Sequence, residues 1–144
     1  MSVAKGPAII ANIFHQYFSQ DPVVMSLFGD PLRIYDYTPE DPVYPYMTYG
    51  TVRSEDRSAD EVEILSHTVT LHIWSRYTGR AEVLDLLAIL SERLDTIPAQ
   101  QGDHNISSLN VLYVDVFRAR DNRTQHGLIR LSVQTETLIT ELNS

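Results

Sequence analysis

Cysteine is missing altogether from the 144 residues, which excludes disulfides, thiolate zinc sites and cysteine nucleophiles together. That usage fits a protein made and used in a reducing compartment. Glycine is scarce, six in all, so tight backbone cradles for phosphate have little to be built from. No apolar run approaches the roughly 20 residues needed to span a bilayer, and the first 20 residues show no charged-then-apolar leader. The expectation is a soluble, intracellularly made protein, in which the glycosylation-type triplets beginning at Asn105 and Asn122 are chance matches. Basic residues are outnumbered, 11 against 19 acidic, for a net charge of −8, so diffuse attraction to nucleic acid is not expected. Four of the eleven, Arg118, Arg120, Arg123 and Arg130, fall within one 13-residue window and read as solvated arginines on a hairpin.

What is present is periodicity. Over residues 7–18, Ile9, Ile10, Ile13, Phe14, Tyr17 and Phe18 share one side at helical spacing, and Pro7 suits a first turn that has no use for its N–H. A short helix follows over 22–28, with Asp21 as its cap and Gly29 as its stop. Residues 30–45 are proline-punctuated surface in which Leu32 to Tyr35 makes at most a short edge strand. The period then changes to two. Strands are expected over 46–53, 64–74, 108–120 and 127–137, with "DNRTQHG" as the turn of the last hairpin and its glycine at the end.

In the first strand Tyr46, Thr48, Gly50 and Val52 are placed on one face and Met47, Tyr49, Thr51 and Arg53 on the other, with Gly50 marking a bulge or a close backbone approach. In the second, Leu65, His67, Val69, Leu71 and Ile73 form a core row. A helix over 79–97 presents Val83, Leu84, Leu86, Leu87, Leu90, Leu94 and Ile97 to the sheet, with Thr78 as its cap. Ile89 projects from its acidic side, where a subunit contact is the alternative to an ordinary exposed aliphatic. Together these describe one α+β domain over 1–144. A mostly antiparallel four-stranded sheet has one face covered by the long helix and the N-terminal helix.

Chemistry is hard to find in this pattern. His67 and His72 are five apart on one strand, point to opposite faces and cannot chelate one ion. His15, His104 and His126 have no second ligand at recognisable spacing. Glu55, Asp56, Asp60, Glu61 and Glu63 lie in a charge run over 54–63 that reads as a flexible acidic loop, not as acid–base machinery. No nucleophile elbow, phosphate loop or paired-histidine zinc motif is present. The expectation is a non-enzyme with no catalytic residue, metal or cofactor.

The ordered set "DPVVMSLFGD", "RIYDYTPEDPVYPYMTYG", "HTVTLHIWSRYTGRAEVLDLLAILSERLD" and "HGLIRLSVQTET" resembles the tail-completion, or tail-terminator, proteins of long-tailed phages and phage-derived gene transfer agents. The acidic stretch between the first two strands departs from that pattern. The resemblance implies a structural virion protein that forms a ring, a homo-hexamer, at the head-proximal end of the tail tube. Its partners would be itself, the tube protein and the head-closure or stopper protein, with DNA only passing through the lumen and no membrane. Candidate assembly residues are Tyr46, Tyr49, Arg53, Glu55, Asp56, Arg57, Asp60, Glu61, Ile89, Arg118, Arg120 and Arg123. Two alternatives stay open: another neck or tube component, and a small ligand-binding or hydrolytic α+β domain using His67, Tyr46 or Tyr49 in a cleft.

Overall fold

A computed structural model describes residues 3–138, so the two ends of the expected 1–144 domain lie outside the described residues. After a single 3-10 turn at Val3–Lys5, helix α1 spans Gly6–Gln20 and α2 spans Pro22–Phe28. The predicted stripe of α1 is buried through Ile10, Ile13, Phe14 and Phe18. Asp21 ends one helix and starts the next. Its Oδ1 accepts from the Val23 N–H at 2.9 Å, and its Oδ2 accepts from the Tyr17 hydroxyl at 2.5 Å and from Arg93 Nε at 2.9 Å. This buried carboxylate therefore clasps three helices. Burial alone would raise its pKa, but the bonds from Tyr17, Arg93 and Val23 outweigh it and hold the group below the usual carboxylate range.

The sheet has six strands rather than four, in the order β1-β2-β3-β6-β5-β4. β2 is Tyr46–Asp56, β3 is Val62–Ser75, β5 is His104–Arg118 and β6 is Gln125–Leu138. Two-residue pieces complete the edges: β1, Ile34–Tyr35, parallel to β2, and β4, Gln100–Gln101, antiparallel to β5. Neither carries an alternation long enough to register as a strand. β3 and β6 pair along their whole length at the centre, from Val62 with Leu138 to Ser75 with Gln125. Helix α3, Ala81–Leu94, crosses back over this pair and buries Val83, Leu86, Leu87, Leu90 and Leu94 on Leu71, Ile73, Ile129 and Leu131.

Several expected details are corrected. α3 starts at Ala81, and its cap position is Arg80, whose side chain makes no capping bond, rather than Thr78. The buried stripe keeps to residues three and four apart, so Leu84 lies at its margin and is 48% exposed, while Ile89 is half-buried rather than projecting. The 54–63 segment is no loose loop. Glu55 and Asp56 belong to β2 and Glu63 to β3, leaving a turn at 57–61 closed by Arg57 N–H to Ile64 O at 2.7 Å and by Ala59 and Val62 bonding each other. Two side-chain oxygens, Asp56 Oδ1 accepting from the Ser58 N–H at 2.8 Å and Ser58 Oγ from the Ile64 N–H at 3.0 Å, replace the apolar contacts whose shortage reads as disorder.

β2 contains the bulge that Gly50 announces. Tyr49 pairs with Leu71 and Val52 with Val69, so β2 holds one residue more than β3 between these pairs. A Cβ on Gly50 would stand 2.8 Å from the Thr70 carbonyl oxygen, which is why glycine sits there. The extra residue reverses the alternation and sends Val52 to the helix-covered face, not to the face of Tyr46 and Thr48.

Gly127 lies inside β6 rather than at the end of the turn. A Cβ there would meet Val83 Cγ2 at 2.8 Å and the Leu87 methyls at 3.2 Å. Gly127→Leu is expected to lift α3 from the sheet and cost about 1–3 kcal/mol in urea unfolding. Wild-type stability in that variant would show that the helix is not seated on β6.

Candidate assembly surfaces

The least covered element is β5. On one side it pairs with β6; on the other, β4 reaches only Asn105 and His104. Its outer side from Ser107 onward faces no strand among the described residues, so its outward backbone groups lack a strand partner, and the Val116 N–H is taken locally by Asp115 Oδ1 at 2.9 Å. The same stretch exposes four large apolar side chains: Leu112 55%, Tyr113 49%, Val114 49% and Phe117 43%. Register places Tyr113 and Phe117 on the open face of the sheet and Val114 on the helix-covered face. Leu112 is the extra residue of a bulge between Val111 and Tyr113. Sequence reasoning missed this surface, because "VLYVDVF" has the composition of a buried strand. The available signal was the lack of strict alternation in it.

Two charged ends flank the sheet. At the β2–β3 turn, Glu55, Asp56, Asp60 and Glu61 gather, and Glu55 is bridged by Arg53 at 3.2 Å and Arg57 at 2.9 Å. At the opposite end the β5–β6 turn exposes Arg118, Arg120 and Arg123, joined by Arg76, which bonds Asp121 at 3.2 Å. Asp121 organises that turn by accepting from Thr124 Oγ1 and from the amides of Arg123 and Thr124, and these bonds hold its carboxyl well below the usual range. Arg130 is not part of this cluster; it lies over the Tyr113 ring on the open face.

The tyrosines proposed as contacts go elsewhere. Tyr46 is only 4% exposed, set in an aromatic row from Tyr35 and Tyr44 through Trp74 to His126 and Phe117. The segment 36–45 covers this part of the open face, with Arg76 over the Tyr44 ring at 4.5 Å. Tyr49 is half-buried against the core; burial and then the charge of Asp36 push its hydroxyl up. Tyr46 offers almost no free surface, and Tyr49 keeps only part of its own.

His67, Tyr49 and Tyr46 do not converge on a cleft. His67 lies on the helix-covered face, sealed between Ser54 Oγ at 2.8 Å and Thr135 Oγ1 at 2.9 Å, and burial, aided by His104, lowers its pKa to about 4. His72 lies on the opposite face, as the five-residue spacing predicts, and it bonds His126 of β6 at 2.7 Å, a partner the spacing does not reveal. Burial and the neighbouring His72 lower His126 to about 4. A cleft of about 420 Å³ is lined by Gln16, Tyr17, Asp21, Arg93, Thr96 and Gln101 among others. Its charged groups are already engaged with one another through Asp21. Among the described residues no group of three or more His, Asp or Glu is placed to hold a metal.

These features define a small α+β protein with an open sheet edge and two charged ends. The chain belongs to the family described as Tail completion protein gp17, whose model matches residues 14–136. A solved chain titled "Virion of native gene transfer agent (GTA) particle" is similar at 18% identity and a TM-score of 0.67, covering 85% of this chain and 90% of that one. At that identity the likeness is one of fold. No curated protein matches the chain in sequence.

Proposed function

We propose that this protein is a tail terminator: a non-enzymatic virion subunit that forms a ring, a hexamer, at the end of the tail tube and joins it to the head-closure protein. The carrying observation is the apolar, unpaired edge of β5, since a sheet left open in this way is completed by another chain. Repetition of one head-to-tail contact closes a ring. The acidic turn with Glu55, Asp56, Asp60 and Glu61 and the arginine turn with Arg118, Arg120 and Arg123 lie at opposite ends of the strands and would face different neighbours, tube and head closure. A net charge of −8 suits a lumen through which DNA slides without binding. Particles assembled without this protein should show overlong, headless tails in negative stain. Tails of normal length, attached to heads, would refute the reading.

A further inference from the structure

β5 is one of two open edges in the sheet. The other is the outer side of β2 beyond Thr48, the last residue that β1 covers. From Val52 to Asp56 no strand lies beside β2 among the described residues; the 3-10 turn packs near it, and Gly6 at the start of α1 meets Ser54 and His67 on the helix-covered side. A single sheet thus ends on two edges, one apolar and exposed on both faces, the other polar and short.

We infer that the β5 edge of one copy pairs in antiparallel fashion with the β2 edge of the next, residues 113–116 against 52–55, with Asp115 opposite Arg53 and Val116 opposite Val52. The inference rests on the ring reading and assigns its contact surface. Symmetry sets the direction. In a closed ring of six, each neighbour is turned by about a sixth of a turn, too little to reverse a strand, and β2 runs opposite to β5 within the chain. The new pair must therefore be antiparallel.

Faces and charge set the register. Asp115 and Arg53 are both exposed on the open face, while Val116, Val52, Val114 and Ser54 all point to the helix-covered face. The proposed pairing keeps each face continuous, sets two opposite charges together and joins two valines. Pairing at the level of the chain's own ladder, where Val114 stands with Tyr49, would drive the apolar stretch of β5 into β1. The stagger is the kind of shear by which a sheet tilts its strands as it curves around an axis. Pairing β5 with a second β5 would leave the β2 edge open and give a dimer that cannot propagate.

The absence of cysteine makes the test clean, because every disulfide must come from an introduced pair. The variant Arg53→Cys/Asp115→Cys, mixed with tube protein and oxidised, should give a ladder of covalent species ending at the ring. Facing residues of adjacent strands lie within disulfide reach. Each single variant should stay monomeric on a non-reducing gel. Covalent dimers from Asp115→Cys alone would show β5 on β5 and overturn the inference. Rings detected by light scattering without a ladder would overturn the pairing and leave the ring reading standing; absence of rings from the wild type would end both. As a second arm, Arg53→Asp should lower the ring fraction several-fold and Arg53→Asp/Asp115→Arg should restore it. A double variant no better than the single one would count against this register.

Discussion

Replacing Phe18 by alanine should lower the free energy of unfolding by about 3–5 kcal/mol, a large share of the roughly 5–15 kcal/mol available to a domain. Phe18 has no exposed surface, stacks on Phe14 with ring centres 5.8 Å apart and meets the Tyr17 ring edge-on at 5.9 Å. The cost depends on whether the surroundings can close over the gap. Here they are held: Asp21 ties α1 to α2 through Val23 and to α3 through Arg93 at 2.9 Å, and Tyr17 also bonds the Arg93 carbonyl at 2.9 Å. A helix clasped at both neighbours cannot slide inward, so the cavity persists and the loss belongs at the upper end of the range. Urea unfolding of Phe18→Ala beside Phe18→Leu measures it. A loss below about 1 kcal/mol for alanine would mean that α1 relaxes freely and that the clasp at Asp21 is slack.

Acidification from pH 7 to pH 5 should cost on the order of 2 kcal/mol through His67 alone. Its folded pKa, about 4, lies below the ordinary histidine value, so the fold favours the neutral ring. A group with a depressed folded pKa of this basic kind stabilises fully above its ordinary value, and that stability is lost as pH falls from about 6.5 toward 4. The physical cause is burial, aided by His104: the ring faces the neutral hydroxyls of Ser54 on β2 and Thr135 on β6, which cannot compensate a positive charge. His126 acts in the same direction, with a smaller share because it is only partly buried and is screened by solvent. His67→Gln, which can keep one of the two bonds, should flatten the dependence between pH 7 and 5. An unchanged slope in that variant would show that His67 is not the group that titrates.

The boundary between what the chain's text contains and what its folding adds runs through particular residues. Asp21 and Gly29 announce a short helix because capping is chemistry between near neighbours. Gly50 announces a bulge because a missing side chain marks a close approach wherever it occurs. The acidic 54–63 segment reads as a loop although it is ordered, because bonds that Asp56 and Ser58 accept from backbone amides leave no trace in hydrophobicity. Gly127 reads as part of a turn from its neighbours alone; its role depends on Val83 and Leu87, which approach only after α3 crosses the sheet.

The sequence by itself determined the α+β class, the helices, the long strands and the membership signalled by the order of its motifs. The class, helices and strands rest on periodicity or on contacts a few residues apart, which survive reading in one dimension; the membership rests on the resemblance of the ordered motifs to a family. Only the tertiary structure decided that β6 is central and β5 an outer strand, that Tyr46 is covered while Leu112, Tyr113, Val114 and Phe117 are exposed, and that β1 and β4 exist at all. Alternation tells which residues share a face of a strand. It carries no information about which strands lie beside it, because that follows from long-range pairing and from the burial gained when α3 closes over β3 and β6.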